Sequence, residues 1–321
     1  MNAPGLTYYP DSEPGILRKP RGRGFSYFDP DGQLITDQLE RDRLAQLAVP
    51  PAYVDVWMSP IENGHLRATG RDAKGRKQYL YHPDWTRAQA EVKFEQLAGF
   101  GAALPRIRRR VQKDLDATVG EKVFALAAAV TLIDRTGLRV GSPQYAAENG
   151  TYGALTLRNK HVSLAKNAID LRYRAKGGQQ VRRKLSDAKL ARVLGKINDL
   201  PGATLLSWVD DDGIAQTLSS EALNSYISEA GGLDAGITAK TFRTWAGSCA
   251  ALEVALTGEA TIKDMADAAA KVLRNTPTIA RNSYVHPDVI ALAGAPAPDI
   301  APRERSGLRL TEQRLLGLLE N

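Results

Sequence analysis

The sequence predicts an α+β protein. A small, mostly antiparallel-β domain is expected over residues 1–85. A larger, mostly α-helical domain carrying a three-stranded β meander is expected over 86–321. Three observations predict this. Residues 1–83 are rich in glycine, proline and aromatics, with short runs of period two. From about Thr86 apolar residues recur at helical spacing. Between Gly153 and Lys184 the period returns to two.

In chain order, Gly24–Gly32 reads as a strand ending in the turn Asp29-Pro30-Asp31-Gly32. Asp37–Leu47 reads as a short helix stopped by Val49-Pro50-Pro51. Val54–Met58 and His65–Thr69 pair as a hairpin around Asn63-Gly64. The basic stretch Gly70–Tyr81 follows, and a linker is expected at His82-Pro83-Asp84. Residues 86–98 are amphipathic, and Pro105–Lys113 puts Arg106, Arg109, Arg110 and Lys113 near one helical face, phosphate-facing or merely solvated. Thr118 and Glu121 have the spacing of a capping box before a buried helix, Val123–Ile133.

Arg139 falls in the connection to a helix opened by Ser142-Pro143, with Tyr145 just beyond. Gly153–Val162, Ile169–Lys176 and Gln179–Lys184 form the predicted meander. Its middle strand sets Ile169, Leu171 and Tyr173 on one face and Arg172, Arg174 and Lys176 on the other. Gly177-Gly178 turns the hairpin and leaves Lys176 at its tip. Helices follow over Ser186–Lys196 and Ser219–Glu229, separated by Asp210-Asp211-Asp212-Gly213, which lacks the ligand spacing of a calcium loop and reads as a turn. Thr238 caps a helix to about Thr257, with Lys240 and Arg243 in its first turns, and Thr261–Leu273 is another. Thr276-Pro277 caps a short helix that ends near Tyr284, since His286-Pro287 disfavours continuation. Ala295–Pro302 reads as a linker before a last helix, Leu310–Leu319, that folds back.

A net charge of +7 and a pI near 9.4 point to an acidic partner. The single cysteine, Cys249, excludes a disulfide framework and fits a reducing, cytoplasmic compartment. The first fifteen residues lack the pattern of a signal peptide, and no apolar run approaches the roughly 20 residues of a membrane span. Nucleic acid is therefore the leading partner, and no membrane is expected. Arg71, Lys74 and Arg76 run into Gln78, Tyr79 and Tyr81, a basic loop leading to aromatics that suits phosphates and then base edges. The competing reading is a solvated turn with sheet tyrosines.

The chemistry converges on five residues. Tyr284 lies two turns beyond Asn275 at a helix entrance suited to an oxyanion, which makes its phenol a candidate nucleophile for phosphorus. Among eleven tyrosines, an ordinary half-buried residue is the competing reading. Arg139 and Arg243 can clamp the nonbridging oxygens of a phosphodiester, Asn275 can donate to the same oxygens, and Lys176 can protonate the departing sugar oxygen. This set calls for no metal and no cofactor. The four histidines are scattered, and no phosphate-binding glycine loop is present.

With those residues assembled, the chain resembles the type IB DNA topoisomerases, specifically the poxvirus-like group with bacterial members. The motifs are G-R-D-A-K-G-R-K-Q-Y-L-Y, L-R-V-G-S-P-Q-Y, T-Y-G-A-L-T-L-R-N-K-H-V, K-T-F-R-T-W and N-T-P-T-I-A-R-N-S-Y, in family order from residue 70 to 284. The resemblance implies a monomeric two-domain clamp on duplex DNA, acting at the nucleoid. It also implies supercoil relaxation through transient attachment of Tyr284 to a 3′-phosphate. Arg139, Lys176, Arg243 and Tyr284 match the family's catalytic positions, and Gln78, Tyr79, Tyr81, Tyr145 and Lys240 its DNA contacts. Asn275 stands where the family usually has histidine, and Ser142 and Gln144 replace lysines of the viral recognition helix, so viral cleavage-site preference does not carry over. The alternatives are a tyrosine recombinase, disfavoured because Lys240-Thr241-Phe242-Arg243 lacks the usual H-x-x-R, and a non-catalytic architectural DNA-binding protein.

Overall fold

The computed structural model describes residues 5–200, 204–233 and 236–320. Residues 1–4, the first of the stretch expected not to be a signal peptide, lie outside them. By internal contacts the chain divides into two compact units, Met1–Val92 and Lys93–Asn321.

In the first unit, β1 (Ile16–Arg21), β2 (Gly24–Phe28), β3 (Val54–Met58), β4 (Leu66–Arg71) and β5 (Lys77–Tyr81) form one antiparallel sheet in the order β2-β1-β3-β4-β5. Helix α1 (Gln38–Gln46) begins at Asp37, whose carboxylate accepts the Glu40 N–H. Ile16, Tyr27, Leu44, Val56, Met58 and Ala68 make the core. Arg18 is also buried. It avoids the cost of an unpaired charge by donating to the Val49, Pro50 and Tyr53 carbonyls while lying over the Phe25 ring.

The linker expected at His82–Asp84 falls within the first unit. The His82 N–H donates to His65, its carbonyl accepts from Thr86, and β5 runs straight into α2 (Pro83–Asp114). The helical stretch expected from Pro105 to Lys113 is part of α2, and Pro105 lies inside it. A buried stripe of Leu97, Phe100, Leu104, Ile107 and Val111 outweighs the one hydrogen bond that proline removes.

The second unit is mostly helical: α3 (Lys122–Thr136), α4 (Pro143–Asn149), α5 (Ala188–Asn198), α6 (Ser220–Gly231), α7 (Ala239–Ala255), α8 (Ile262–Leu273), α9 (Pro277–Tyr284), α10 (Pro287–Ile290) and α11 (Leu310–Leu319). The expected capping box before α3 does not form. Thr118 and Glu121 close a backbone turn, and the N-cap is Glu121 without a side-chain bond. The meander is β6 (Val162–Ala165), β7 (Ala168–Arg174) and β8 (Gln180–Ser186). Its first strand is shorter than expected because Ala154–Thr156 and Asn159–His161 wind into 3-10 turns, which the Thr156 and His161 side chains close. The acidic triplet is the turn of a small hairpin, β9 (Ser207–Val209) with β10 (Ala215–Thr217), in which Asp210 accepts the Ile214 N–H. No group that could hold a metal ion occurs among the described residues, and none of their helices is long and apolar enough to cross a membrane.

Helix α3 is buried nearly throughout, and Phe100 of α2 meets Phe242 and Trp245 of α7 edge-on, at 4.9 and 5.9 Å between ring centres. Arg108, absent from the expected basic stripe, turns inward and binds both Asp134 of α3 and Glu312 of α11. Glu312 is 1% exposed, and Arg309 completes its shell. Burial works to raise the Glu312 carboxyl, but Arg108 and Arg309 outweigh it and hold it at about 2. Glu312→Ala leaves Arg108 with Asp134 alone and Arg309 without its carboxylate, and is expected to cost about 3 kcal/mol. With the folded value depressed, this stabilisation is present above the ordinary glutamate value of 4.5 and is lost as pH falls through about 2. Acid unfolding of Glu312→Gln beside the parent checks the sign.

Candidate active site

Four of the five candidates come together in the second unit. Helix α3 ends at Gly137 in the left-handed region, and the following loop is held by Ala154 and Leu155 N–H groups donating to the Arg139 and Val140 carbonyls. The Arg139 guanidinium donates to Asn275 Oδ1. Asn275 lies between the left-handed cap Arg274 and Thr276, whose hydroxyl accepts the Ile279 N–H at the start of α9. With Oδ1 used, the amide directs Nδ2, which is buried and meets no hydrogen-bond partner among the described residues.

Arg243 projects from the buried face of α7 and is 3% exposed. It donates to the Gly137 carbonyl and, at 3.2 Å, to that of Leu273, and its guanidinium lies over the Tyr284 ring, 4.8 Å from the centroid. Its buried Nε–H also lacks an acceptor among the described residues. Two buried donors without acceptors among the described residues, beside the Arg139 guanidinium, suit an anionic oxygen.

Tyr284 is the last residue of α9 and half-buried. Burial of the ring works to raise its phenol. The Arg243 charge, then Lys240 and Arg139, outweigh that and hold it below the ordinary tyrosine value. The backbone behind it is fixed. Ser248 donates to the Tyr284 carbonyl and accepts the His286 N–H. Gly247 passes so close that a Cβ there would sit 2.6 Å from the Tyr284 carbonyl oxygen. Gly247→Ala is expected to displace the Tyr284 phenol and to slow any attack it makes on phosphorus by about 10²-fold with ligand affinity retained, measured as single-turnover reaction against binding.

Lys176 is not brought into contact with the other four. It is exposed at the hairpin tip and makes no hydrogen bond or ion pair among the described residues. Its neighbour Ala175 lines the same cavity as Arg139 and Arg243. Gly177 and Gly178 both adopt φ of 79°, which leaves the tip free of side chains beyond the lysine. Arg172 and Arg174 are exposed on β7 opposite buried Ile169, Leu171 and Tyr173, with Arg172 paired to Asp170 at 2.6 Å. Tyr145 on α4 and Lys240 on α7 are exposed.

The remaining candidates lie in the first unit. Asp72 organises the β4–β5 turn, accepting from Arg76, the Lys74 N–H and Gln78 Nε2, and the bonds from Arg76 and the Lys74 N–H hold its carboxyl at about 2. Bidentate contact of Gln78 with a base would require that bond to be given up. Arg71 reaches the Gly75 carbonyl and Asp55, while Lys74 is exposed. Tyr79 and Tyr81 stack at 6.0 Å between centroids and are 51% and 41% exposed, an open aromatic face at the sheet edge.

Two residues escaped the sequence reading. Lys93 of α2 donates to the Ser283 carbonyl in the last turn of α9, and burial, with Lys240, lowers its ammonium to about 8. Arg183 lines the Arg139–Arg243 cavity. Its signal was available: it alternates with Val181 and Leu185, so a cation occupies the apolar row of the strand.

Residues 82–281 match the family described as eukaryotic DNA topoisomerase I, catalytic core, and residues 24–72 match the bacterial DNA topoisomerase IB N-terminal domain. The first match includes Arg139, Lys176, Arg243 and Asn275 and stops just short of Tyr284. A DNA topoisomerase 1B of Acanthamoeba polyphaga mimivirus is 28% identical over 289 residues, 84% of this chain and 85% of the viral one. A DNA topoisomerase 1B of Vaccinia virus (strain Copenhagen) is 26% identical over 165 residues, 46% of this chain and about half, 51%, of the relative. Among solved structures, the XerH site-specific recombinase in its post-cleavage complex aligns with a TM-score of 0.38 at 18% identity, over 56% of this chain and 47% of the other.

Proposed function

Because this chain belongs to the type IB DNA topoisomerases of the viral and bacterial group, we propose that Tyr284 is the nucleophile with which it cuts and reseals one DNA strand. The phenol gives up its proton to solvent, and its oxygen bonds to phosphorus as the bond to the 5′-oxygen breaks. Arg139, Arg243 and Asn275 Nδ2 hold the nonbridging oxygens as negative charge builds on them. Lys176 supplies the proton that the leaving 5′-oxygen needs, once the hairpin tip closes on the strand. The duplex swivels about the uncut strand, and the 5′-hydroxyl then attacks the phosphotyrosine to restore the bond.

The observation that carries this reading is the meeting of Arg139, Arg243, Asn275 and Tyr284, with two buried donors lacking acceptors among the described residues beside a phenol of lowered pKa. An amide at Asn275 suffices for a neutral hydrogen bond and brings no charge. For DNA binding we assign the exposed Tyr79, Tyr81 and Lys74 of the first unit and Tyr145, Arg172, Arg174 and Lys240 of the second. On this assignment the chain acts as a monomer that clamps duplex DNA between its two units, working at the nucleoid.

The test is relaxation of supercoiled plasmid without ATP and with excess EDTA. Relaxation, with protein trapped on 3′-phosphate ends when the reaction is quenched in detergent, is the expected result. A protein that binds DNA yet never nicks it would sink the proposal. Binding should also weaken steeply with salt, at a slope of about −0.9 for each phosphate neutralised.

A further inference from the structure

We propose that Arg183 is a positioning residue for strand cleavage, tying the hairpin that carries Lys176 to the helix ends that carry Arg139 and Asn275. The inference rests on the site reading above and concerns a residue to which that reading gives no role. Arg183 lies on β8 directly across from buried Leu171, on the apolar face of the meander. A guanidinium there needs acceptors, and it finds two. One is the Thr136 carbonyl at the end of α3, the other the Val272 carbonyl near the end of α8. Helix C-termini leave carbonyls without intrahelical donors and favour a nearby cation.

Arg243 makes the same bridge one residue further on, from α7 to the carbonyls of Gly137 and Leu273. Two guanidinium groups therefore join the ends of α3 and α8 at consecutive residues. Arg243 already fixes those ends to each other, so what Arg183 adds is the hairpin. Through it the strand leading back from Lys176 is anchored three residues before Arg139 on one side and three before Asn275 on the other. Its charged neighbours Arg243 and Arg274 are cations, and Tyr173 is also close; no carboxylate pairs with it among the described residues. A planar fork can reach two carbonyls at once, whereas an ammonium has a single point of attachment.

The experiment compares Arg183→Lys and Arg183→Gln with the parent, each alone and combined with Lys176→Ala, in single-turnover cleavage of duplex DNA. DNA affinity and thermal melting are measured alongside, and the glutamine variant serves if lysine disturbs the strand. Both substitutions are expected to slow cleavage about 10- to 100-fold with DNA affinity changed less than about threefold. In the Lys176→Ala background the same substitutions should cost less than about twofold, because the group they position is gone. Equal losses with and without Lys176, or full cleavage by Arg183→Lys, would overturn the inference while leaving the nucleophile assignment intact. A parent that forms no covalent complex overturns both.

Discussion

Tyr284→Phe is expected to abolish plasmid relaxation, by at least about 10⁴-fold, while DNA affinity stays within a few-fold of the parent. The substitution removes one oxygen from a half-buried ring and keeps its packing, including the contact with the Arg243 guanidinium. The backbone that holds residue 284 is bound through Ser248 and approached closely by Gly247, neither of which involves the phenol. Folding is therefore preserved, and the loss isolates the chemical step. Relaxation of supercoiled plasmid and recovery of a covalent protein–DNA adduct are the two measurements. Residual relaxation near the parent rate would mean that another group attacks phosphorus.

Arg243→Gln should show the next largest effect, a fall in cleavage of about 10²- to 10³-fold together with an alkaline shift of the pH–rate profile. The sign follows from the balance at Tyr284, where burial works to raise the phenol and the Arg243 charge is the chief cause of its lowered value. Cleavage needs the phenolate, so its rate rises with pH until the folded pKa is reached. Taking away the arginine leaves burial in place and moves that limb upward. Single-turnover cleavage measured from about pH 6 to about pH 10 reads the shift directly. A slowed reaction with an unmoved profile would restrict Arg243 to the phosphate oxygens. Arg243→Lys is not expected to rescue, because the same fork also binds the Gly137 and Leu273 carbonyls.

Much of the fold is written locally. The alternation of β7 sorts Ile169, Leu171 and Tyr173 from Arg172 and Arg174, and Thr276, Pro277 and Pro287 set the limits of α9. Both patterns depend on neighbours within a few residues, where backbone geometry and capping act. Local signals failed where burial overrode them. Pro105 marks a helix start by propensity, yet it lies within a continuous helix because five apolar residues of α2 share one buried stripe. The strand expected over Gly153–Val162 gave way to side-chain-closed 3-10 turns.

By itself, the sequence determined the chemical inventory and its order: a tyrosine at a helix end, two arginines, a lysine at a glycine hairpin and an asparagine at a helix entrance. Residue type and short spacing suffice for that. Only the tertiary structure decided that Arg139 meets Asn275, that Arg243 lies over Tyr284, and that Lys176 stands apart from them. It also turned Arg108 inward and gave Arg183 its two carbonyls. The physical reason is common to these cases. A cation's partner is whichever acceptor lacks a donor of its own, and at a helix C-terminus or a buried carboxylate that partner comes from a distant part of the chain.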